Sequence, residues 1–109
     1  MKSIKTLTLN DGKKIELILT FEALYRLKST FEEEYEIFCK LIFEGLHNDL
    51  INYIRILHIC YLMANQESLE EKSILSFEEF LKKVNGIDPL YLVNLAVSLT
   101  SSKKNNHLK

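Results

Sequence analysis

Residues 50–64, LINYIRILHICYLMA, form the longest apolar run in the chain, interrupted only by Asn52, Arg55 and His58. At about 100° per residue on a helix, those three positions fall within one arc of roughly 120°, leaving about two-thirds of the surface apolar. Such a helix needs neighbours on several sides. The run therefore predicts the central helix of a small helical domain, ending near Ala64 and Asn65. With about 15 residues and an arginine in its middle, it falls short of the roughly 20 that span a bilayer.

On its C-terminal side, residues 66–75 read as a charged loop carrying Glu67, Glu70, Glu71 and Lys72. Ser76 and Glu79 then have capping-box spacing and open a helix through Phe77, Phe80, Leu81 and Val84 that closes at Asn85 and Gly86. Asp88 followed by Pro89 places an N-cap before a proline at the first helical position, so a last helix begins there. In residues 90–99 only Asn94 and Ser98 are polar, and apolar side chains cover most directions around the axis. A terminal helix in so small a domain carries more apolar surface than its own chain can cover. Leu90, Leu92, Val93, Ala96 and Val97 are therefore the candidate partner-binding residues. The alternative is a helix inserted fully between the others.

On its N-terminal side, residues 3–19 read as a β-hairpin, because SIKTLTL and KIELIL alternate in polarity about Asn10, Asp11 and Gly12. Leu7, Leu9, Ile15, Leu17 and Leu19 share parity. They face one core if Leu9 opposes Ile15 and Leu7 opposes Leu17, which calls for a three-residue loop, residues 11–13. The open edges of such a ribbon can accept a further strand. Thr20 is an N-cap for a helix over residues 21–28 with Phe21, Leu24, Tyr25 and Leu27 on its apolar face. Thr30 and Glu33 suggest a second capping box. Glu32, Glu33, Glu34 and Glu36 suit the positive end of the helix dipole there. Phe31, Tyr35, Phe38, Leu41 and Ile42 form that helix's stripe, Gly45 ends it, and Asn48 or Asp49 caps the central helix.

The fold class expected is mainly α: an N-terminal β-hairpin followed by about five helices packed around the central one. At 109 residues the chain makes one domain, residues 1–100, with a polar tail, residues 101–109, expected to be disordered. Fourteen basic residues against 15 acidic ones, with Arg26 and Arg55 the only arginines, leave no basic excess for a nucleic-acid face. The N-terminus MKSIKTLTL has no continuous apolar segment of a secretion signal, so a cytoplasmic protein is expected.

Chemistry-bearing motifs are missing. No Gly-rich phosphate loop, GxSxG or HExxH occurs, and His47, His58 and His107 lack metal-ligand spacing. His58 has a cation, Arg55, one turn before it and a leucine one turn after, which suits a buried or stripe histidine better than a ligand or base. Cys39 and Cys60, one in each of two helices, read as small core residues. Neither an enzyme, a cofactor nor a metal is expected.

The order of elements resembles a known family. LTLNDGKKIELILTFEALYRLK at residues 7–28, FEGL at 43–46, the apolar central helix and SFEEFL at 76–81 resemble the small tail assembly chaperones of long-tailed phages and prophages. That resemblance implies binding of the tape measure protein to keep it soluble during virion morphogenesis in the bacterial host cytoplasm, with the chaperone absent from the finished virion. It further implies a homo-oligomer and a longer, frameshifted product. Lys103, Lys104, Asn105 and Asn106 require adenine-rich codons, where a ribosome could slip, although a low-GC genome yields the same residues. The family carries no catalytic signature and implies neither nucleic acid nor membrane as partner. The competing class is a small helical adaptor or regulatory domain acting through protein–protein contacts.

Overall fold

Alternating polarity at the N-terminus and 3.6-residue periodicity after it resolve into seven elements among the described residues. The computed structural model describes residues 2–66 and 74–101. It contains β1 (Lys2–Thr8), β2 (Lys14–Thr20), α1 (Phe21–Thr30), α2 (Glu32–Glu44), α3 (Leu50–Asn65), α4 (Phe77–Val84) and α5 (Pro89–Thr100). The fold is mainly helical with an N-terminal antiparallel hairpin. Most of the expected 66–75 loop, and the tail from residue 102, lie outside the described residues.

The hairpin pairs Leu7 with Ile15 and Lys5 with Leu17, not Leu9 with Ile15 and Leu7 with Leu17 as expected. The Leu9 N–H donates to the Lys13 carbonyl at 2.8 Å and the Gly12 N–H to the Leu9 carbonyl at 2.9 Å, so Asn10, Asp11 and Gly12 form the loop. It is the expected length but starts one residue earlier. Two local devices hold it there. The Asp11 carboxylate accepts from the Lys13 N–H at 3.0 Å, and Gly12 supplies the positive φ of 90° that the turn requires. Moving the loop by one residue moves the pairing by two, which preserves parity. Leu7, Leu9, Ile15, Leu17 and Leu19 are accordingly all buried, as a single face.

That leucine face lies on α3. From Ile56 to Met63 every residue of the central helix is buried, with the hairpin, α1, α2, α4 and α5 all packed around it. Its N-cap is Asp49, whose carboxylate accepts from the Ile51 N–H at 2.9 Å. His58, which sequence places on the polar arc, is covered as well.

The first helical pair departs from expectation. β2 runs into α1 without a linker, and Thr20 caps the helix by accepting from the Ala23 N–H at 3.0 Å. The strand thereby sets the rotation of α1, which turns Ala23 and Leu27 inward and leaves Phe21 and Tyr25 exposed. The small Ala23 lets a neighbour approach: the buried Gln66 amide, just past α3, donates to the Ala23 carbonyl at 3.0 Å. The expected Thr30–Glu33 capping box does not form. Thr30 is the last residue of α1, and Phe31, with no side-chain cap, joins the helices by donating its N–H to the Leu27 carbonyl at 2.8 Å. Gly45 ends α2 with φ 99°.

The Ser76–Glu79 capping box does form, since Ser76 Oγ accepts from the Glu79 N–H and Glu79 Oε1 from the Ser76 N–H. At its other end α4 is tied to the hairpin. Asn10 Nδ2 donates to the carbonyls of Lys82 (2.7 Å) and Asn85 (3.0 Å), and its N–H donates to that of Lys83 (2.9 Å). Lys83 Nζ meets Asp11 at 2.8 Å, and that ammonium holds the Asp11 carboxyl below its ordinary pKa. The turn residues thus satisfy carbonyls that a helix end leaves unpaired.

Candidate interaction surfaces

The last helix begins as predicted, with Asp88 accepting from the Leu90 N–H at 3.0 Å and Pro89 in the first turn. Its apolar residues then divide between two faces. Leu92, Leu95, Ala96 and Leu99 are buried against α3 and the hairpin. Leu92 and Ala96, expected on a partner surface, are therefore core residues, because helical spacing puts them in phase with Leu95 and Leu99. Leu90, 65% exposed, Tyr91 and Val97 face solvent, and Val93 is half-buried. Of the five candidate residues, Leu90 and Val97 thus form the outer face, with Tyr91 beside Leu90.

The other exposed large apolar side chains among the described residues are Ile4 on β1, Phe21 and Tyr25 on α1, Ile42 and Phe43 on α2, and Leu50 and Ile51 opening α3. Phe43, 85% exposed, stands out. It lies outside the stripe of Phe31, Tyr35, Phe38, Leu41 and Ile42, and that displacement is the sequence signal of an aromatic aimed at solvent. From the same stripe only Phe38 is fully buried, and Ile42 is exposed.

Between α2 and α3 lies an open cleft of about 310 Å³. Ile37 and Leu41 supply its apolar lining, and Lys40, Glu44, His47 and Arg55 its polar lining. The turn beside it holds two successive left-handed residues, His47 (φ 56°) and Asn48 (φ 54°). Asn52 Nδ2 braces this turn by donating to the Leu46 carbonyl at 3.1 Å. The Arg55 guanidinium lies 3.9 Å from the Phe77 ring centroid, a cation–π contact that fixes it on an aromatic face.

His58 joins α3 to the segment entering α4. Its Nε2 is 2.9 Å from the Leu75 carbonyl. A carbonyl can only accept, so Nε2 carries the proton and Nδ1 is left as a buried acceptor without a partner among the described residues. The Leu75 N–H donates in turn to the Tyr61 hydroxyl at 2.8 Å. The imidazole packs against Tyr61, Phe77 and Phe80 at centroid distances of 5.3–6.0 Å. Burial pushes its pKa below the ordinary histidine value, and the Arg55 charge adds to this while the Leu75 carbonyl opposes it. A neutral histidine so enclosed positions α4.

The thiols divide between environments. Cys60 is fully buried and its pKa is pushed up to about 12 by desolvation, whereas Cys39 is half-buried on α2. Among the described residues no three His, Cys, Asp or Glu side chains are placed to hold a metal ion. No described helix is long and apolar enough to cross a membrane.

No protein-family model, curated protein or solved structure matches this chain.

Proposed function

We propose that this chain is a tail assembly chaperone of a long-tailed phage or prophage, binding the tape measure protein and keeping it soluble during tail morphogenesis. The observation that carries the proposal is the outer face of α5, where Leu90, Tyr91 and Val97 remain in water on a helix whose other face is already packed. Leu90 and Val97 are seven residues apart and so recur on one side after two turns. That suits the apolar stripe of a partner helix better than a small polar substrate. The resemblance in the hairpin, FEGL and SFEEFL segments supplies the identity of the partner. In this reading the protein works in the bacterial host cytoplasm, associates with its own copies and with a frameshifted longer product, and is absent from the finished virion. The job calls for neither catalysis nor cofactor, and for neither nucleic acid nor a membrane.

Co-expression with the long helical reading frame expected downstream of this gene tests the proposal. The wild-type chain should move the tape measure protein into the soluble fraction and co-purify with it. The Leu90→Asp/Val97→Asp double variant, folded by circular dichroism, should do neither. A tape measure protein equally insoluble with and without the wild-type chain would sink the chaperone reading.

A further inference from the structure

The starts of α2 and α4 meet α3 at a cavity of about 210 Å³. Phe31, Leu62, Leu75 and Phe77 give it apolar walls, while Glu34, His58, Ser76 and Glu79 are its polar side chains. Apart from the Ser76 hydroxyl, what these side chains leave open is acceptors. His58 is 2% exposed, its Nε2–H is spent on the Leu75 carbonyl, and its Nδ1 has no partner among the described residues. Glu34 is half-buried and has neither a hydrogen bond nor an ion pair among them. Glu79 gives one oxygen to the Ser76 N–H and keeps the other open. No described lysine or arginine lines the cavity, and Arg55 is drawn onto the Phe77 ring instead. Helix starts explain why acidic residues occur in these turns. They do not explain why Glu34 and Glu79, 45 residues apart in the chain, line one apolar cavity together with an unpartnered imidazole.

We propose that this cavity binds an organic cation, an ammonium on an apolar stem, supplied by a lysine side chain of a partner or by a free alkylamine. The walls take the stem, the two carboxylates take the charge, and the imidazole adds an acceptor to the lining. The volume is below the roughly 300–1,000 Å³ of drug-sized sites, so one side chain or one small amine fills it. An anion would face two carboxylates with no cation in the lining to offset them. A metal ion is the poorer occupant, because among the described residues no three His, Cys, Asp or Glu side chains are placed to hold one. An ammonium needs no such convergence, since its three N–H donors turn freely about the stem. No residue of α5 lines the cavity, so the proposal goes beyond the chaperone reading and does not depend on it.

Nuclear magnetic resonance titration of the full chain at constant ionic strength tests it. The probes are n-butylammonium chloride, the uncharged n-butanol, and the pentapeptide acetyl-Ala-Ala-Lys-Ala-Ala-amide with its norleucine counterpart. Butylammonium should shift the His58 imidazole and the Leu62 and Leu75 amides saturably, and bind roughly tenfold or more tighter than butanol. Glu34→Gln, with helical circular dichroism intact, should weaken that binding by roughly the same factor. Saturable binding of the lysine peptide but not the norleucine one assigns the cation to a partner chain, and binding of butylammonium alone assigns it to a free amine. No saturable shift with either cation, butanol binding as well as butylammonium, or a folded Glu34→Gln that binds like the wild type would each overturn the proposal.

Discussion

Replacing Asn10 perturbs the side chain that makes two of the bonds fastening the hairpin tip to α4. Its amide donates to the carbonyls of Lys82 and Asn85 at 2.7 and 3.0 Å, while its backbone N–H bond to Lys83 survives any non-proline substitution. Asn10→Ala removes two exposed hydrogen bonds, each worth about 0.5–1.5 kcal/mol net, so the expected loss is about 1–3 kcal/mol. For a domain of this size that lowers Tm by roughly 4–24 °C. Asn10→Asp is the sharper variant. It keeps the shape but replaces a donor with a charged acceptor facing the carbonyl end of a helix, where the dipole is negative. Stability should therefore fall in the order wild type, Asn10→Ala, Asn10→Asp. Thermal and urea unfolding measure the order, and amide exchange should locate the loss at the hairpin tip and the last turn of α4. An Asn10→Asp variant as stable as wild type would refute the view that donation from the tip holds α4 in place.

Phe80 is fully buried between His58 and Tyr61, and Phe80→Ala should destabilise by about 3–5 kcal/mol in urea denaturation, with α4 released first in amide exchange. Below pH 6.5 the unfolded chain protonates His58 before the folded one does, because the folded pKa is depressed. Stability from this group is thus full above pH 6.5 and is lost as pH falls through the folded pKa. Unfolding midpoints measured from pH 7.5 to 5 should fall, and the His58→Gln variant should flatten that slope. Leu92→Asp should unfold the chain, whereas Leu90→Asp, on the exposed side of the same helix, should change stability by no more than about 0.5 kcal/mol. In native protein the half-buried Cys39 should react with a thiol reagent while Cys60, its pKa near 12, reacts only after denaturation.

Hairpin parity, the capped starts of α1, α3, α4 and α5, and the burial of the central run were legible in the sequence. Each cap depends on groups within a few residues of one another: Thr20 with Ala23, Asp49 with Ile51, Ser76 with Glu79, Asp88 with Leu90. Features set by residues distant in the chain were not. The Leu7–Ile15 register accompanies a loop that also docks on α4 some 72 residues later. The rotation of α1 follows from the strand that feeds it and the neighbour it meets, which turned Phe21 and Tyr25 outward although their spacing suits an inner face.

The candidate surfaces divide in the same way. Composition and periodicity determined that α5 carries more apolar residues than one face can bury. Only packing against α3 and the hairpin decided that Leu92 and Ala96 go inward while Leu90 and Val97 stay in water. Periodicity states which side chains share a face. It cannot state which face meets a neighbour, because that depends on where the other helices stand, and their positions are settled by contacts between distant parts of the chain.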